Sequence, residues 1–209
     1  QVQVVSSSGN SSAFLYISGG WDLATQTQTG QTYFRQMHGT FNNRYGYGLY
    51  LSSKYYTEIS RLHFLRYNNG IYYNTSSSNN TITSATCNSN NNYGIYYASS
   101  SNNNTITSAT CNSNSLYGIS YSSSNNNTIT SATCNSNTNG IYYYNSSSNN
   151  TITSATCNSN TYGIYYTGSS NNTIYALSTT GNTTAGIYSN TANNICHFAT
   201  IAESTKVAI

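Results

Sequence analysis

The sequence predicts an all-β fold: a β-solenoid whose coils of about 23 residues each contribute three short parallel strands. One reason is a repeated segment, NNTITSATCNSN, which two copies extend by one further Asn. Its four copies lie at residues 79–90, 102–114, 125–137 and 149–160. The other reason is the regular spacing of its cysteines, which are 24, 23 and 23 residues apart. They are Cys87, Cys111, Cys134 and Cys157. A fixed period of this length is typical of solenoids.

The three strands of a coil are predicted from three apolar positions that recur in a fixed order. Ile71 of a Gly-Ile pair is followed by Ile82 of an Asn-Thr-Ile triplet and then by Cys87, before the next Gly-Ile pair at Ile95. Asn, Ser and Gly separate these positions and predict turns at the corners. The β-branched residues and tyrosines favour strands, and leucines at helical spacing are lacking. A helical repeat is therefore not expected.

We expect the isoleucines and the cysteines to form a ladder in the core. This core ladder is Ile71, Ile82, Cys87, Ile95, Ile106, Cys111, Ile119, Ile129, Cys134, Ile141, Ile152, Cys157 and Ile164. Because side chains alternate along a strand, their neighbours are expected to point outward. The outward aromatic ladder is Tyr72, Tyr96, Tyr142, Tyr165 and Tyr188, interrupted by Ser120. The outward threonine ladder is Thr81, Thr83, Thr105, Thr107, Thr128, Thr130, Thr151 and Thr153.

The pattern GIYY-x-x-SSSNNTITSATCNSN resembles the repeat of right-handed parallel β-helix proteins, the pectin-lyase-like group that includes NosD-type surface repeats. The resemblance covers about residues 33–200, and SGGWD at residues 18–22 also resembles the first coil of repetitive surface members. In character the chain is similar to subunits of archaeal cell sheaths and surface filaments. The resemblance implies a right-handed parallel β-helix. It implies little about activity, since lyases, tailspikes, adhesins and envelope proteins share this fold.

A single solenoid domain is predicted over residues 1–209, with four parts that differ in regularity. They are irregular first coils at 1–32, degenerate coils at 33–70, regular repeats at 71–173 and degenerate C-terminal coils at 174–209. In the degenerate coils at 33–70 we expect Ile59 at the position of Ile82 and Phe64 at the position of Cys87. In the last part we expect Ile187 and Ile195 to begin the final coil, with Cys196 outside the cysteine ladder. Amphipathic helices that would cap the ends are not evident, although neighbouring domains of a longer precursor offer an alternative cap.

Charge is scarce, since only 4% of the residues are charged and none of them lies between residues 67 and 202. The few basic residues, which give a net charge of +3, are too scattered to form a phosphate-binding stripe, so nucleic acid is not an expected partner. No apolar run is long enough to predict a transmembrane segment. We expect an extracellular or cell-surface protein, and we interpret Gln1 as the start of a processed product.

Neither catalysis nor a cofactor is expected from the sequence. The carboxylates are Asp22, Glu58 and Glu203, which are too far apart in the repeat to form the pair that a glycosidase needs. The histidines are His38, His63 and His197, and each is isolated. No second ligand type recurs beside the cysteines, so a metal site is not expected either. The chain is therefore predicted to be no enzyme.

The cysteine ladder has two interpretations, as small buried apolar residues or as stacked disulfides. Cys196 is the odd thiol and a candidate for an intermolecular bridge. Glycosylation sequons of the form Asn-x-Ser/Thr recur at one corner of the coil. They are Asn79, Asn103, Asn126, Asn149 and Asn171.

Three functions remain open from the sequence. The first is an extracellular structural protein that self-assembles through uncapped ends and lateral contacts into an amyloid-like filament, sheath or surface layer. The second is ice binding by the Thr-Ile-Thr repeats, which resemble the paired threonines of insect β-solenoid antifreeze proteins. The third is a glycan-binding adhesin that uses the outward tyrosines.

Overall fold

The structure, a computed structural model, describes residues 3–4, 15–18, 21–22, 27–28, 32–35 and 46–202. The described residues form strands, turns and bends, without a helix. His38 and Glu203 lie outside the described residues. None of the described segments is a helix that is long and apolar enough to cross a membrane.

The first side of the solenoid is an eight-stranded parallel sheet, called here the first sheet. Its strands are β1 (Gln3–Val4), β6 (Tyr47–Ser52), β9 (Asn69–Asn74), β12 (Tyr93–Tyr97), β14 (Tyr117–Ser122), β16 (Asn139–Tyr144), β18 (Tyr162–Thr167) and β21 (Ala185–Ser189). Each strand carries a Gly-Ile pair or its equivalent. Ile95 pairs with Ile71 on one side and with Ile119 on the other, so the repeat is in register.

The second side is another eight-stranded parallel sheet, the second sheet. Its strands are β2 (Leu15–Ser18), β7 (Thr57–Ser60), β10 (Thr81–Thr83), β13 (Thr105–Thr107), β15 (Thr128–Thr130), β17 (Thr151–Thr153), β19 (Thr173–Tyr175) and β22 (Ile195–His197). Each Thr-Ile-Thr triplet pairs with the same residues of the next coil, as Ile106 does with Ile129. Ile59 is equivalent to Ile82, as the sequence predicted.

The third side is narrower, because in the middle coils it is reduced to one bridging threonine. It begins with β5 (Thr32–Arg35), β8 (Leu62–Leu65) and β11 (Thr86–Asn88), and it ends with β20 (Ser178–Thr180) and β23 (Thr200–Ala202). Parallel bridges through Thr110, Thr133 and Thr156 connect the two parts. Phe64 pairs with Cys87 and takes the cysteine position, as predicted. The fold is a right-handed parallel β-helix, as predicted.

The first coil contains β1, β2 and β5, which pair with the three strands of the next coil. Between β2 and β5 it carries an antiparallel hairpin of β3 (Trp21–Asp22) and β4 (Thr27–Gln28). SGGWD therefore leads from a strand of the coil into this hairpin.

Corners of the coils are made by Ser and Asn in the left-handed backbone region. Ser108 and Ser113 have φ values of 54° and 57°, and Asn103 has a φ of 56°. The same positions repeat in each regular coil. Asn tolerates this region better than most residues, and Ser is small and polar enough to stand at an exposed corner. The Asn- and Ser-rich segments of the repeat are thus the turns of the solenoid.

Glycine is required on the strands of the first sheet, where the backbone lies against the next coil and against the cysteines of the third side. A Cβ added to Gly118 would lie 2.5 Å from the carbonyl oxygen of Gly140 and 2.9 Å from Cβ of Cys134. Neither atom is the end of a flexible side chain, so any larger residue would displace the backbone. The Gly of each Gly-Ile pair therefore allows the close packing of the coil.

The core is a set of parallel ladders of identical side chains. Ile82, Cys87 and Ile95 are completely buried, and so are their equivalents in the regular coils. A second aromatic ladder also lies inside, where the rings stack with centroids between 4.7 and 5.3 Å apart. It consists of Tyr73, Tyr97, Tyr121, Tyr143 and Tyr166. Burial of these rings and of the isoleucines is the main driving force for the fold.

Buried asparagines connect the coils at two corners. At the corner before the second sheet, the backbone N–H and Nδ2 of Asn104 both donate to Oδ1 of Asn127, at 2.8 and 3.1 Å. The same two bonds recur from coil to coil; this ladder contains Asn80, Asn104, Asn127, Asn150, Asn172 and Asn194. A second ladder, Asn90, Asn114, Asn137, Asn160 and Asn182, lies at the corner after the third side. These amides satisfy backbone groups that the turns leave unpaired.

The last coil differs from the prediction at Ile195 and Cys196. Cys196 pairs with Ile174 and occupies the isoleucine position of the second sheet, whereas Ile195 pairs with Thr173 and is 52% exposed. The physical reason is the asparagine ladder. Asn194 accepts the backbone N–H of Asn172 at 2.9 Å, which fixes the inward position two residues later. Cys196 therefore lies in the isoleucine ladder.

Candidate functional site

The outer surface of the first sheet is covered by tyrosines and is called here the tyrosine face. Three positions of each strand point outward, such as residues 139, 142 and 144 of β16, and tyrosine occupies many of them in successive coils. The tyrosine face comprises Tyr47, Tyr50, Tyr72, Tyr93, Tyr96, Tyr117, Tyr142, Tyr144, Tyr162, Tyr165 and Tyr188. All eleven are half-buried. The predicted aromatic ladder is the central column of this face, and sequence reasoning missed the flanking columns.

Rings of the central column stack on one another. Tyr72 and Tyr96 are 5.0 Å apart and nearly parallel, and Tyr142 and Tyr165 are 5.1 Å apart. Stacking covers their faces, so these rings present edges and hydroxyls to solvent. At the ends of the column Tyr50 and Tyr188 are tilted instead, by 63° to Tyr72 and by 68° to Tyr165. Tyr117, in a flanking column, is tilted on both sides, by 55° to Tyr93 and by 54° to Tyr142. Leu116 beside it is 37% exposed.

The gap in the column at Ser120 is closed by its neighbours. The hydroxyls of Tyr96 and Tyr144 are 2.6 Å apart and form a hydrogen bond across this coil. Ser120 is consequently buried, although its strand position points outward.

Four buried polar atoms on the outer side of the first sheet have no hydrogen-bond partner among the described residues. Three lie beneath the tyrosine face, Oδ1 of Asn69, Oγ of Ser120 and Oδ1 of Asn139, and the fourth is Oγ1 of Thr167 at the end of β18. Asn69 and Asn139 are equivalent to Tyr93 and Tyr117, and both are at most 5% exposed. A buried acceptor without a donor is unfavourable by about 1–3 kcal/mol, so these oxygens favour a donor from outside the protein.

The tyrosine face is electrically neutral over a wide pH range. Partial burial, together with the neighbouring Tyr47 and Tyr50, raises the pKa of Tyr72 to about 12. Burial also raises the pKa of Tyr96 and Tyr117. The sequence between residues 67 and 202 contains no Asp, Glu, Lys or Arg.

The outer surface of the second sheet carries the predicted threonine ladder. Thr105 and Thr107 flank the buried Ile106 and are half-buried, and the other three coils repeat this arrangement. At the C-terminal end the columns change, because Tyr175 and His197 replace threonines and stack at 5.0 Å. Ice binding by this surface stays a prediction.

The charged residues of the described part all lie in one coil or its neighbour at the N-terminal end. The coil that contains β6, β7 and β8 carries Lys54, Glu58, Arg61 and Arg66, and the first coil carries Asp22 and Arg35. Burial lowers the pKa of His63, which lies on β8. Within the described residues, no group of three or more His, Cys, Asp or Glu side chains could hold a metal ion.

All five cysteines are free thiols in the structure. Burial raises the pKa of Cys111 and of Cys134 well above the ordinary value, which makes them neutral and poorly nucleophilic. Hydroxyls of the buried Tyr97, Tyr121 and Tyr143 have no partner in the described part. Cys196 is half-buried, and its bridging role stays a prediction.

Sequon asparagines lie at the corner before the second sheet. Asn103 is exposed with a φ of 56°, whereas the next residue, Asn104, is buried in the asparagine ladder. The equivalents Asn126, Asn149 and Asn171 are exposed and Asn79 is half-buried. Their glycosylation stays a prediction.

Parallel sheets, coils in register and ladders of identical residues define a right-handed parallel β-helix repeat protein, as the sequence predicted. The family profile described as periplasmic copper-binding protein (NosD) matches residues 97–209. This is more than half of the chain, which therefore belongs to the NosD family. No curated protein sequence matches the chain. The family match gives no support for a subunit of an archaeal cell sheath.

Solved structures with the same fold include enzymes that act on polysaccharides. The periplasmic alginate epimerase AlgG has a TM-score of 0.64 at 16% identity, with 78% of this chain and 43% of that chain covered. The A-module of the mannuronan C-5 epimerase AlgE4 of Azotobacter vinelandii has a TM-score of 0.64 at 14% identity, with 78% and 52% covered. Pectate lyase Pel9A has a TM-score of 0.69 at 14% identity, with 99% and 65% covered. The chain thus spans less than two thirds of the length of each.

The expectation that the chain is no enzyme is wrong in the light of these structures. Alginate epimerase and pectate lyase are enzymes on the same fold, so an enzymatic activity is compatible with it. Paired carboxylates are the requirement of glycoside hydrolysis, so their scarcity bears on that reaction and not on every activity of the fold.

Proposed function

We propose that the chain is a polysaccharide-binding β-helix of the cell envelope or extracellular space, and that the tyrosine face is its binding surface. The observation that carries the proposal is the combination of half-buried aromatic rings with partnerless acceptors beneath them. The three unpaired oxygens belong to Asn69, Ser120 and Asn139. A sugar presents both an apolar C–H surface and hydroxyl donors, so it can satisfy both features at once.

We expect the aromatic contribution to sugar binding to come from a small part of the face around Tyr117. Stacked rings of the central column present edges, whereas the tilted ring of Tyr117 and the exposed Leu116 offer apolar surface. Aromatic contacts of this kind contribute about 0.5–1.5 kcal/mol beyond the area that they bury. Surface rings change rotamer within nanoseconds, so a hydroxyl can reach the oxygens that they cover.

The comparisons support this class of ligand and this location. Alginate epimerase and pectate lyase are named for polysaccharide substrates, and they share the fold. Both the family description and AlgG are periplasmic, which supports an envelope or extracellular location. The family description also names copper. In this chain the ladder thiols are buried, burial raises the pKa of Cys111 and Cys134, and the described residues form no metal-binding group, so they do not fit copper.

The proposal is tested by affinity electrophoresis in gels that contain a polysaccharide. We expect the protein to be retarded, and the variant Leu116→Ser/Tyr117→Ser to be retarded less. The matched control is Thr130→Ser, which changes a half-buried residue on the second sheet. Thermal unfolding of both variants verifies that the fold is intact. If no polysaccharide retards the wild-type protein, or if the control loses binding equally, the tyrosine face is not the binding surface.

A second candidate, end-to-end self-assembly into a filament, sheath or surface layer, is favoured by the last described coil. Ile195 and Phe198 of this coil are apolar and are 52% and 88% exposed. Exposed apolar side chains of this kind favour contact with a second copy. We expect filaments by electron microscopy and their loss in Ile195→Thr/Phe198→Ser. A wild-type protein that sediments as a monomer at high concentration would refute this candidate.

A further inference from the structure

We infer that the tyrosine face selects an uncharged polysaccharide rather than a polyuronate such as alginate or pectate. The inference depends on the proposed function, and it separates this chain from the polyuronate-acting enzymes that share its fold. Three properties of the face support this selectivity: its charge, the type of its unpaired atoms and its length.

The face lacks the groups that bind carboxylates. From residue 67 to residue 202 the chain contains no Lys or Arg, and six of the eight strands of the first sheet lie in this range. A polyuronate carries a carboxylate on each sugar, and burial of a carboxylate without a cation is strongly unfavourable. The described cations all precede this range: Lys54, Arg61 and Arg66 lie in the coil before it and Arg35 in the first coil.

Calcium cannot compensate for the missing cations on this surface. A calcium bridge between a polyuronate and a protein requires oxygen ligands on the protein, and carboxylates are the usual ones. The range from residue 67 to residue 202 contains no Asp or Glu. The only described glutamate, Glu58, lies on the second sheet.

Two of the unpaired atoms of the face are acceptors only. Oδ1 of Asn69 and Oδ1 of Asn139 require a donor, whereas Oγ of Ser120 can donate or accept. A sugar hydroxyl can donate to the two amide oxygens, whereas an ionised carboxylate is only an acceptor and would be repelled by them. The two amide oxygens thus favour a hydroxyl over a carboxylate.

The length of the face favours a polymer. Neighbouring strands are about 4.8 Å apart, so the eight strands of the first sheet extend over about 34 Å. The three unpaired atoms lie on β9, β14 and β16, which places them along this length. An extended chain of several sugars can therefore contact more than one of them at a time.

The test is affinity electrophoresis with hydroxyethyl cellulose and mannan as neutral polymers, and with alginate and pectate as polyuronates. Each polymer is used at low and high salt, with and without calcium. We expect retardation by a neutral polymer that salt does not change, and about tenfold weaker binding for Leu116→Ser/Tyr117→Ser. Lys54→Gln/Arg61→Gln, which removes described cations outside the face, should bind the neutral polymer as the wild type does.

The other outcomes separate the two proposals. Tighter, salt-sensitive binding of a polyuronate that is lost in Leu116→Ser/Tyr117→Ser would overturn the specificity inference and keep the tyrosine face as a binding surface. Polyuronate binding that is lost only in Lys54→Gln/Arg61→Gln would overturn both. The absence of binding to all four polymers would overturn the proposed function itself.

Discussion

Replacement of Asn127 by alanine would remove one rung of a buried asparagine ladder. Oδ1 of Asn127 accepts the backbone N–H and Nδ2 of Asn104, and Nδ2 of Asn127 donates to Oδ1 of Asn150 at 3.0 Å. The variant leaves two donors of Asn104 without this acceptor. Oδ1 of Asn150 keeps a donor, because the backbone N–H of residue 127 is unchanged.

Only the backbone N–H of Asn104 is orphaned, because Nδ2 of Asn104 also donates to the carbonyl oxygen of Ser77 at 3.2 Å. A buried donor without an acceptor costs about 1–3 kcal/mol and a lost hydrogen bond about 0.5–1.5 kcal/mol, so Asn127→Ala should lower the free energy of unfolding by about 2–4 kcal/mol. The preceding residue supplies the control. Asn126 is exposed with a φ of 56°, and Asn126→Gly removes an asparagine side chain without a conformational penalty. The control should change stability by less than about 0.5 kcal/mol.

Equilibrium unfolding in guanidinium chloride, followed by far-ultraviolet circular dichroism, measures both variants. Equal slopes for the wild type and the variants are required before the midpoints are compared. Should Asn127→Ala unfold at the wild-type midpoint, or should Asn126→Gly lose as much, the ladder would not hold the coils together as described.

Three further predictions concern packing, the core and pH. Gly118→Ala should destabilise by about 1–3 kcal/mol or more because its Cβ meets a backbone oxygen at 2.5 Å; Gly168→Ala, with open space and a φ of 58°, should lose only about 1–2 kcal/mol by thermal unfolding. Ile129→Ala should cost about 2–5 kcal/mol in denaturant, since Ile129 is completely buried, whereas Thr130→Ala beside it should change little. Stability should begin to fall near pH 9 and fall further between pH 10 and about 12, because folding raises the pKa of Cys111, Cys134 and Tyr72 and the unfolded chain releases these thiol and phenolic protons first. Thiolate and phenolate absorbance and circular dichroism measure this; a loss of structure that already begins near neutral pH would contradict it.

The solenoid could be predicted because its repeats are nearly identical. When Ile82, Ile106 and Ile129 recur at one spacing, parallel pairing in register places them in one ladder, and this is what the strands show. Alternation then places the neighbouring threonines outside. These conclusions require only the period of the repeat and the geometry of a strand.

Features that depend on the rotamers and the corners could not be predicted. Asn103 and Asn104 are adjacent and identical in type, and only the turn makes one exposed and the other buried. The register of Cys196 follows from Asn194, which in the sequence is one asparagine among many. The orientation of the outward rings also depends on neighbours in other coils. The hydroxyl of Tyr96, for example, is hydrogen-bonded to the hydroxyl of Tyr144.

The asparagine ladders give the solenoid a direction along its axis. Each coil supplies side-chain oxygens to the coil before it, as Asn150 does for Asn127. A chain shortened from its C-terminal side would therefore expose main-chain N–H groups that have lost their acceptors. One shortened from its N-terminal side would expose amide oxygens. Water can bond to both kinds of group, so the two truncated ends should differ in the partner that each attracts, hydrogen-bond acceptors at the C-terminal side and donors at the N-terminal side.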